Sequence, residues 1–269
     1  MAEGKKKDPV KVAAGKLGGR PVTVDGRERL TVRVSPEWHA KLRLAAERAK
    51  AEGRGNVSVG QAVRLALDAY QEAAEANHTQ DARPRVEHIE TITAQDIPRF
   101  GKLSVIASFQ PLHAYPDEDT LNIWARNVGP ERAQRAWVWH SIESTGGRLA
   151  FGSDWPVVTL NPWPGVQNAL TRQTTEGDPP GGWIPKERIS LADAIKGYTL
   201  GAAFAGHREK TEGSLEPGKL ADLIVLSQDL FKIEPTDIGK TEVLLTMVGG
   251  KVVYQAPRWT ATSAATGAK

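Results

Sequence analysis

Cysteine is absent from all 269 residues, which excludes disulfides and thiolate-bound metal together. Any metal held by this chain must therefore rest on histidine and carboxylate. Histidine occurs only six times, so each imidazole can be weighed singly, and no His-x-His pair exists. No apolar run approaches the roughly 18 residues needed to cross a bilayer, and the charged N-terminal stretch lacks the apolar centre of a signal peptide. A cytoplasmic protein without a membrane partner is expected. With 40% hydrophobic residues the chain is rich enough to bury a core, and its length suits one large domain or two ordinary ones.

Charge is unevenly spread. Residues 1–55 hold 14 Lys plus Arg against 7 Asp plus Glu, a net +7, which leaves −4 for the rest of a chain whose total is +3. The first 28 residues, with the Lys5-Lys6-Lys7 run, read as a basic disordered tail. Residues 29–76 have a different pattern. Leu30, Val32 and Val34 alternate with Arg29, Thr31 and Arg33, as in a half-buried strand. Ser35-Pro36-Glu37 then supplies a cap, a first-turn proline and an acid for one helix, and Ser58 with Gln61 opens a second whose apolar face is Val59, Val63, Ala66, Leu67 and Tyr70. This β-α-α pattern resembles the ribbon-helix-helix DNA-binding domains. The resemblance implies duplex DNA as a partner, read by Arg29, Thr31 and Arg33 in the major groove. The same residues also read as a degenerate piece of a larger barrel, because the helix over 61–76 suits either assignment.

Downstream, extended segments end in side chains that can hold metal. Arg85-Val86-Glu87-His88 is one, Phe109-Gln110-Pro111-Leu112-His113 another, and Leu149-Ala150-Phe151-Gly152-Ser153-Asp154 a third. An acid at the C-terminal end of a buried parallel strand is where barrel enzymes place their chemistry. Residues 94–102 read as a helix, 131–144 as a second, and Ser190-Leu191-Ala192-Asp193 opens a third. The segment 157–189, rich in Pro, Gly and Trp, reads as a long binding loop or lid. Trp155, Trp163 and Trp183 are candidates for an apolar substrate wall, and Arg172 for contact with an anionic substrate group or a neighbouring carboxylate. Val243–Val248 and Lys251–Tyr254 flank Gly249-Gly250 as a hairpin.

Together with Pro179-Pro180-Gly181-Gly182-Trp183, Tyr198-Thr199-Leu200-Gly201-Ala202-Ala203 and Gly213-Ser214-Leu215-Glu216-Pro217-Gly218-Lys219-Leu220-Ala221-Asp222, these motifs are similar to the C-terminal half of the amidohydrolase family 3 enzymes, over about residues 83–254. The resemblance implies an α/β fold: the last strands and helices of a (β/α)₈ TIM barrel over 77–212, a remnant of a small β-sandwich over 213–255, and a disordered tail over 256–269. It implies metal-dependent hydrolysis of small amide-type substrates with zinc or another divalent cation, His88 as a metal ligand, Asp154 as ligand and general base, and His113 beside the substrate, where the residues themselves make Arg172 and Trp155 further candidates. The other ligands of that family have no counterpart here, so an incomplete metal site, or none occupied, is expected of the chain alone. Uncovered strand edges imply a homo-oligomer or a complementing chain. The competing expectations are a DNA-binding protein and an inactive truncated or fused product.

Overall fold

A computed structural model describes residues 59–78 and 81–259. Their frame is a three-stranded parallel sheet in the order β1 (Arg85–Glu87), β2 (Ile106–Phe109) and β3 (Arg148–Phe151). Val86 lies opposite Ala107, and Ala107 opposite Leu149, so the three strands run level. Most of β2 and β3 is buried, which accounts for sequences that are apolar apart from Ser108 and Arg148. The pairing continues past the strand ends through His88 N–H to Ser108 O at 2.9 Å and Gly152 N–H to Phe109 O at 3.1 Å.

Parallel strands need crossover connections, which helices supply here. The 19-residue helix α1 (Val59–Asn77) precedes β1, α2 (Ile97–Lys102) joins β1 to β2, and α3 (Trp139–Ser144) leads into β3. Val63 and Leu67 of α1 sit in one buried cluster with Ile89, Phe100, Phe109, Trp139 and Ile142. Polar ties reinforce that packing. Asp96 accepts from Arg64 Nε at 2.9 Å, Thr93 Oγ1 at 2.6 Å and Arg99 Nη1 at 3.0 Å, while Arg99 Nη2 reaches Asp68 of α1 at 2.7 Å. The helix that the ribbon-helix-helix pattern would claim thus shares its core with the parallel sheet. The strand residues Arg29, Thr31 and Arg33 lie outside the described residues.

Two expectations need correction. The single helix expected over 131–144 is interrupted: Pro130–Ala133 forms one turn, and α3 starts only at Trp139. Ala136, Trp137, Val138 and Trp139 are all buried in succession, which no single helix face allows, and Trp137 turns the chain with φ 46°. Nor is 157–189 an unstructured lid, because it contains helix α4 (Trp163–Thr171). Trp163, Gly165, Val166, Gln167, Asn168, Ala169 and Thr171 of α4 are buried, and a helix covered nearly all round shows no amphipathic stripe.

Helix α5 (Leu191–Lys196) begins where expected, with Ser190 Oγ accepting from Asp193 N–H at 3.1 Å. A separate antiparallel sheet follows, in the order β4 (Leu223–Leu226), β5 (Val243–Val248) and β6 (Lys251–Gln255). The turn between β5 and β6 has positive φ at both Gly249 and Gly250, a conformation glycine adopts without steric penalty. Among the described residues no helix is long and apolar enough to cross a membrane.

Candidate metal centre

Each parallel strand delivers one metal-competent side chain just past its C-terminal end. His88 directly follows β1, His113 lies on a 3-10 turn (Pro111–Ala114) after β2, and Asp154 comes three residues beyond β3. Level strands make these three ends neighbours. One donor atom from each side chain lies within 4.8 Å of the others. Asp154 Oδ2 is 4.0 Å from His88 Nε2 and 3.9 Å from His113 Nε2, and the two imidazoles stack with centroids 5.6 Å apart.

Backbone geometry at these positions is unusual. His88 has φ 68°, Ile89 48° and Asp154 58°, all in the left-handed region that non-glycine residues seldom occupy. Exposure divides the donors: the side chains of His88 and Asp154 are 46% and 41% accessible, that of His113 only 14%. Burial lowers the His113 pKa below its ordinary value, and His88 adds to the effect, while Asp154 and Glu90 oppose it. His113 is thereby held as a neutral imidazole, and its Nε2 is buried with no hydrogen-bond partner. A neutral, unengaged ring nitrogen facing a carboxylate is the form in which histidine binds a metal.

Two nitrogens and a carboxylate oxygen are a donor set suited to zinc or a similar divalent cation. Ligands about 2 Å from a tetrahedral ion are about 3.3 Å apart, so the two Asp154 spacings, 3.9 and 4.0 Å, would close by about 0.6 and 0.7 Å around one, and the third, within 4.8 Å, by no more than about 1.5 Å. The three residues fit the group. Sequence reasoning placed His88 and Asp154 as donors and His113 beside the substrate, and the structure brings all three together. Glu90 was overlooked altogether. Its carboxylate is close enough to influence His113, and the one available signal was its position two residues beyond His88.

The remaining candidates separate. Trp155 follows Asp154 directly and is 61% exposed. Trp163 is buried in the core. Trp183 packs with Trp124 and Trp137, at centroid distances of 6.2 and 5.9 Å. Arg172 does not face the site: it is fully buried, donating from Nε to Trp183 O at 2.8 Å and lying over the Trp139 ring at 4.5 Å. That burial corrects the substrate-anion alternative and also pushes its pKa down to about 9, while the charge of a neighbouring carboxylate, Glu187, opposes the shift.

Parallel strands with a His, His, Asp cluster at their C-terminal ends define an α/β protein with a candidate metal site. The sequence pattern described as the amidohydrolase family matches residues 23–254, and this chain belongs to that family. It is 36% identical over 222 residues to Protein LONG AFTER FAR-RED 3 of Arabidopsis thaliana, covering 82% of this chain and 37% of that protein. It is 30% identical over 203 residues to N-substituted formamide deformylase of Arthrobacter pascens, covering 76% of this chain and 36% of the relative. Among solved structures, an uncharacterized metal-dependent hydrolase from Pyrococcus horikoshii OT3 superposes with a TM-score of 0.54 at 25% identity, over 65% of this chain and 34% of that one. The chain thus spans little more than a third of the length of these curated relatives.

Proposed function

We propose that this chain carries the metal-holding and proton-accepting part of a hydrolase that cleaves small amide-type carbon–nitrogen bonds. The convergence of His88, His113 and Asp154 at three adjacent strand ends carries the reading. When bound, a divalent cation such as zinc supplies Lewis acidity toward a carbonyl oxygen and toward water. His88 and His113 hold the cation through ring nitrogens, with His113 kept neutral by its burial. Asp154 completes the set, and its accessible carboxylate takes the proton from the attacking water as general base. Trp155, exposed beside Asp154, offers an apolar wall for the substituent on the scissile nitrogen.

On this reading the parallel sheet corresponds to the last three strands of a (β/α)₈ barrel, and β4 to β6 to part of a small β-sandwich. β1 and β3 are sheet edges among the described residues, although Arg85 O of β1 accepts from Tyr70 Oη at 2.9 Å and Leu149 O of β3 lies against Gly201, so a further strand would have to displace those contacts. A complementing chain or a second copy seated there would supply the further strands. An N-substituted formamide is the first substrate to offer, because the Arthrobacter relative is named for that activity.

The test is zinc content per chain after desalting, with His88→Ala and Asp154→Asn in parallel. The expected result is about one equivalent in the wild type, lost in His88→Ala and weakened in Asp154→Asn. A wild-type protein that stays metal-free under excess zinc would refute the proposal.

A further inference from the structure

We infer that Asn168 of helix α4 is a positioning residue that fixes the turn carrying His113. The inference rests on the metal-site reading above and adds a residue that touches no donor. Pro111–Ala114 is a single 3-10 turn, held within itself by His113 N–H to Gln110 O at 2.8 Å and Tyr115 N–H to Leu112 O at 3.3 Å. So short a turn has few internal constraints. Proline at its first position has no N–H, so only the carbonyl of Pro111 can be gripped from outside. Asn168 Nδ2 donates to that carbonyl at 2.6 Å.

Asn168 is fully buried, and its own Oδ1 has no partner. A buried amide left half satisfied is a poor choice for helix stability, since the unpaired acceptor has lost its water without gaining a partner. An apolar residue would serve packing better. What the amide contributes is a directional contact to the turn, made from a helix that is itself anchored. The neighbouring Gln167 spans from Gly239 N–H at 2.8 Å to Thr174 O at 3.3 Å. At Gly165, one turn earlier, a β-carbon would lie 3.7 Å from Leu112 N, so α4 and the turn are in ordinary van der Waals contact there. His113 follows Pro111 by two residues, so any rotation of the turn moves its imidazole relative to Asp154 Oδ2, now 3.9 Å away. Ligand–metal distances stay within about 0.2 Å of their standard values, so the placing of the turn bears on whether the imidazole can reach the ion.

The experiment is zinc affinity by competition with a chromophoric chelator, alongside thermal melting, for the wild type, Asn168→Leu, Asn168→Ala, His113→Ala and the Asn168→Leu/His113→Ala double variant. Leucine keeps the branched shape and removes both polar atoms. A residue that served packing alone would leave zinc affinity unchanged in Asn168→Leu. The expected result is a folded Asn168→Leu protein, melting no lower than wild type, with zinc bound about 10-fold more weakly. The double variant should bind as His113→Ala does, because the asparagine acts through that imidazole. Wild-type affinity in Asn168→Leu, or losses that simply add in the double variant, would overturn the inference. Should leucine prevent folding, Asn168→Ala carries the same comparison. A wild type that binds no zinc gives a different pattern, and it overturns the metal reading with this inference.

Discussion

Asp96 offers the sharpest test of how α1 is fastened to the sheet. Its side chain is 2% accessible and accepts from Arg64, Thr93 and Arg99, so Asp96→Asn exchanges a charged acceptor for a neutral amide at the centre of that group. Hydrogen bonds to a charged partner each contribute about 1.5–3 kcal/mol. The Arg64 side chain is 46% accessible, so its share is discounted for screening, and the amide retains one acceptor. A loss of about 3 kcal/mol remains, which corresponds to a melting point lower by roughly 6–12 °C for a domain of this size. Burial favours the neutral acid at Asp96, yet the bonds from Thr93, Arg64 and Arg99 outweigh it and set the pKa below the ordinary 3.8. A depressed carboxylate stabilises the fold above its unfolded value and loses that contribution as pH falls through the folded one. The gap between wild type and variant should therefore be full at neutral pH and close below pH 3.8. Thermal melts followed by circular dichroism across that range provide the assay. Equal melting points at neutral pH, or a gap that persists unchanged into acid, would refute this account.

Two further substitutions probe the packing around α4. Alanine at Gly165 should gain about 1 kcal/mol in helix propensity, yet its β-carbon would lie 2.4 Å from Tyr198 Oη. Tyr198 is held by burial, which also raises its pKa, so the overpacking cost of about 1–3 kcal/mol should win and lower the urea midpoint. Arg172→Lys should destabilise by about 2 kcal/mol, since an ammonium cannot both donate to Trp183 O and stack on Trp139. Urea unfolding followed by tryptophan fluorescence checks it, and an unchanged midpoint would count against the stacking argument.

Much of the site could be read before the fold was known, for a definite reason. Buried parallel strands are written as apolar runs, and Leu149-Ala150-Phe151 pointed toward Asp154 in that way, whereas β1, with Arg85 and Glu87 beside Val86, led to His88 only as an extended segment. His113 was less clearly marked, because Gln110-Pro111-Leu112 inserts a turn between strand and ligand. Helix α4 was illegible for the opposite reason. Pro162, Pro164 and Gly165 at its start mimic a loop, and buried Gln167 and Asn168 erase the apolar spacing that betrays a helix. Arg172 was open between a substrate anion and a neighbouring carboxylate, and here tryptophan rings and carbonyls receive it while Glu187 acts on its charge.

The left-handed backbone at His88 and Asp154 separates what this chain needs for folding from what it needs for chemistry. Each such residue costs of order 1–3 kcal/mol relative to a relaxed conformation, and glycine would occupy either position more easily. The fold would therefore be safer with His88→Gly or Asp154→Gly than with the native side chains. A selection for thermostability alone, applied to a library of this gene, should enrich glycine at these two positions and erase the donors before it disturbs the strands beneath them.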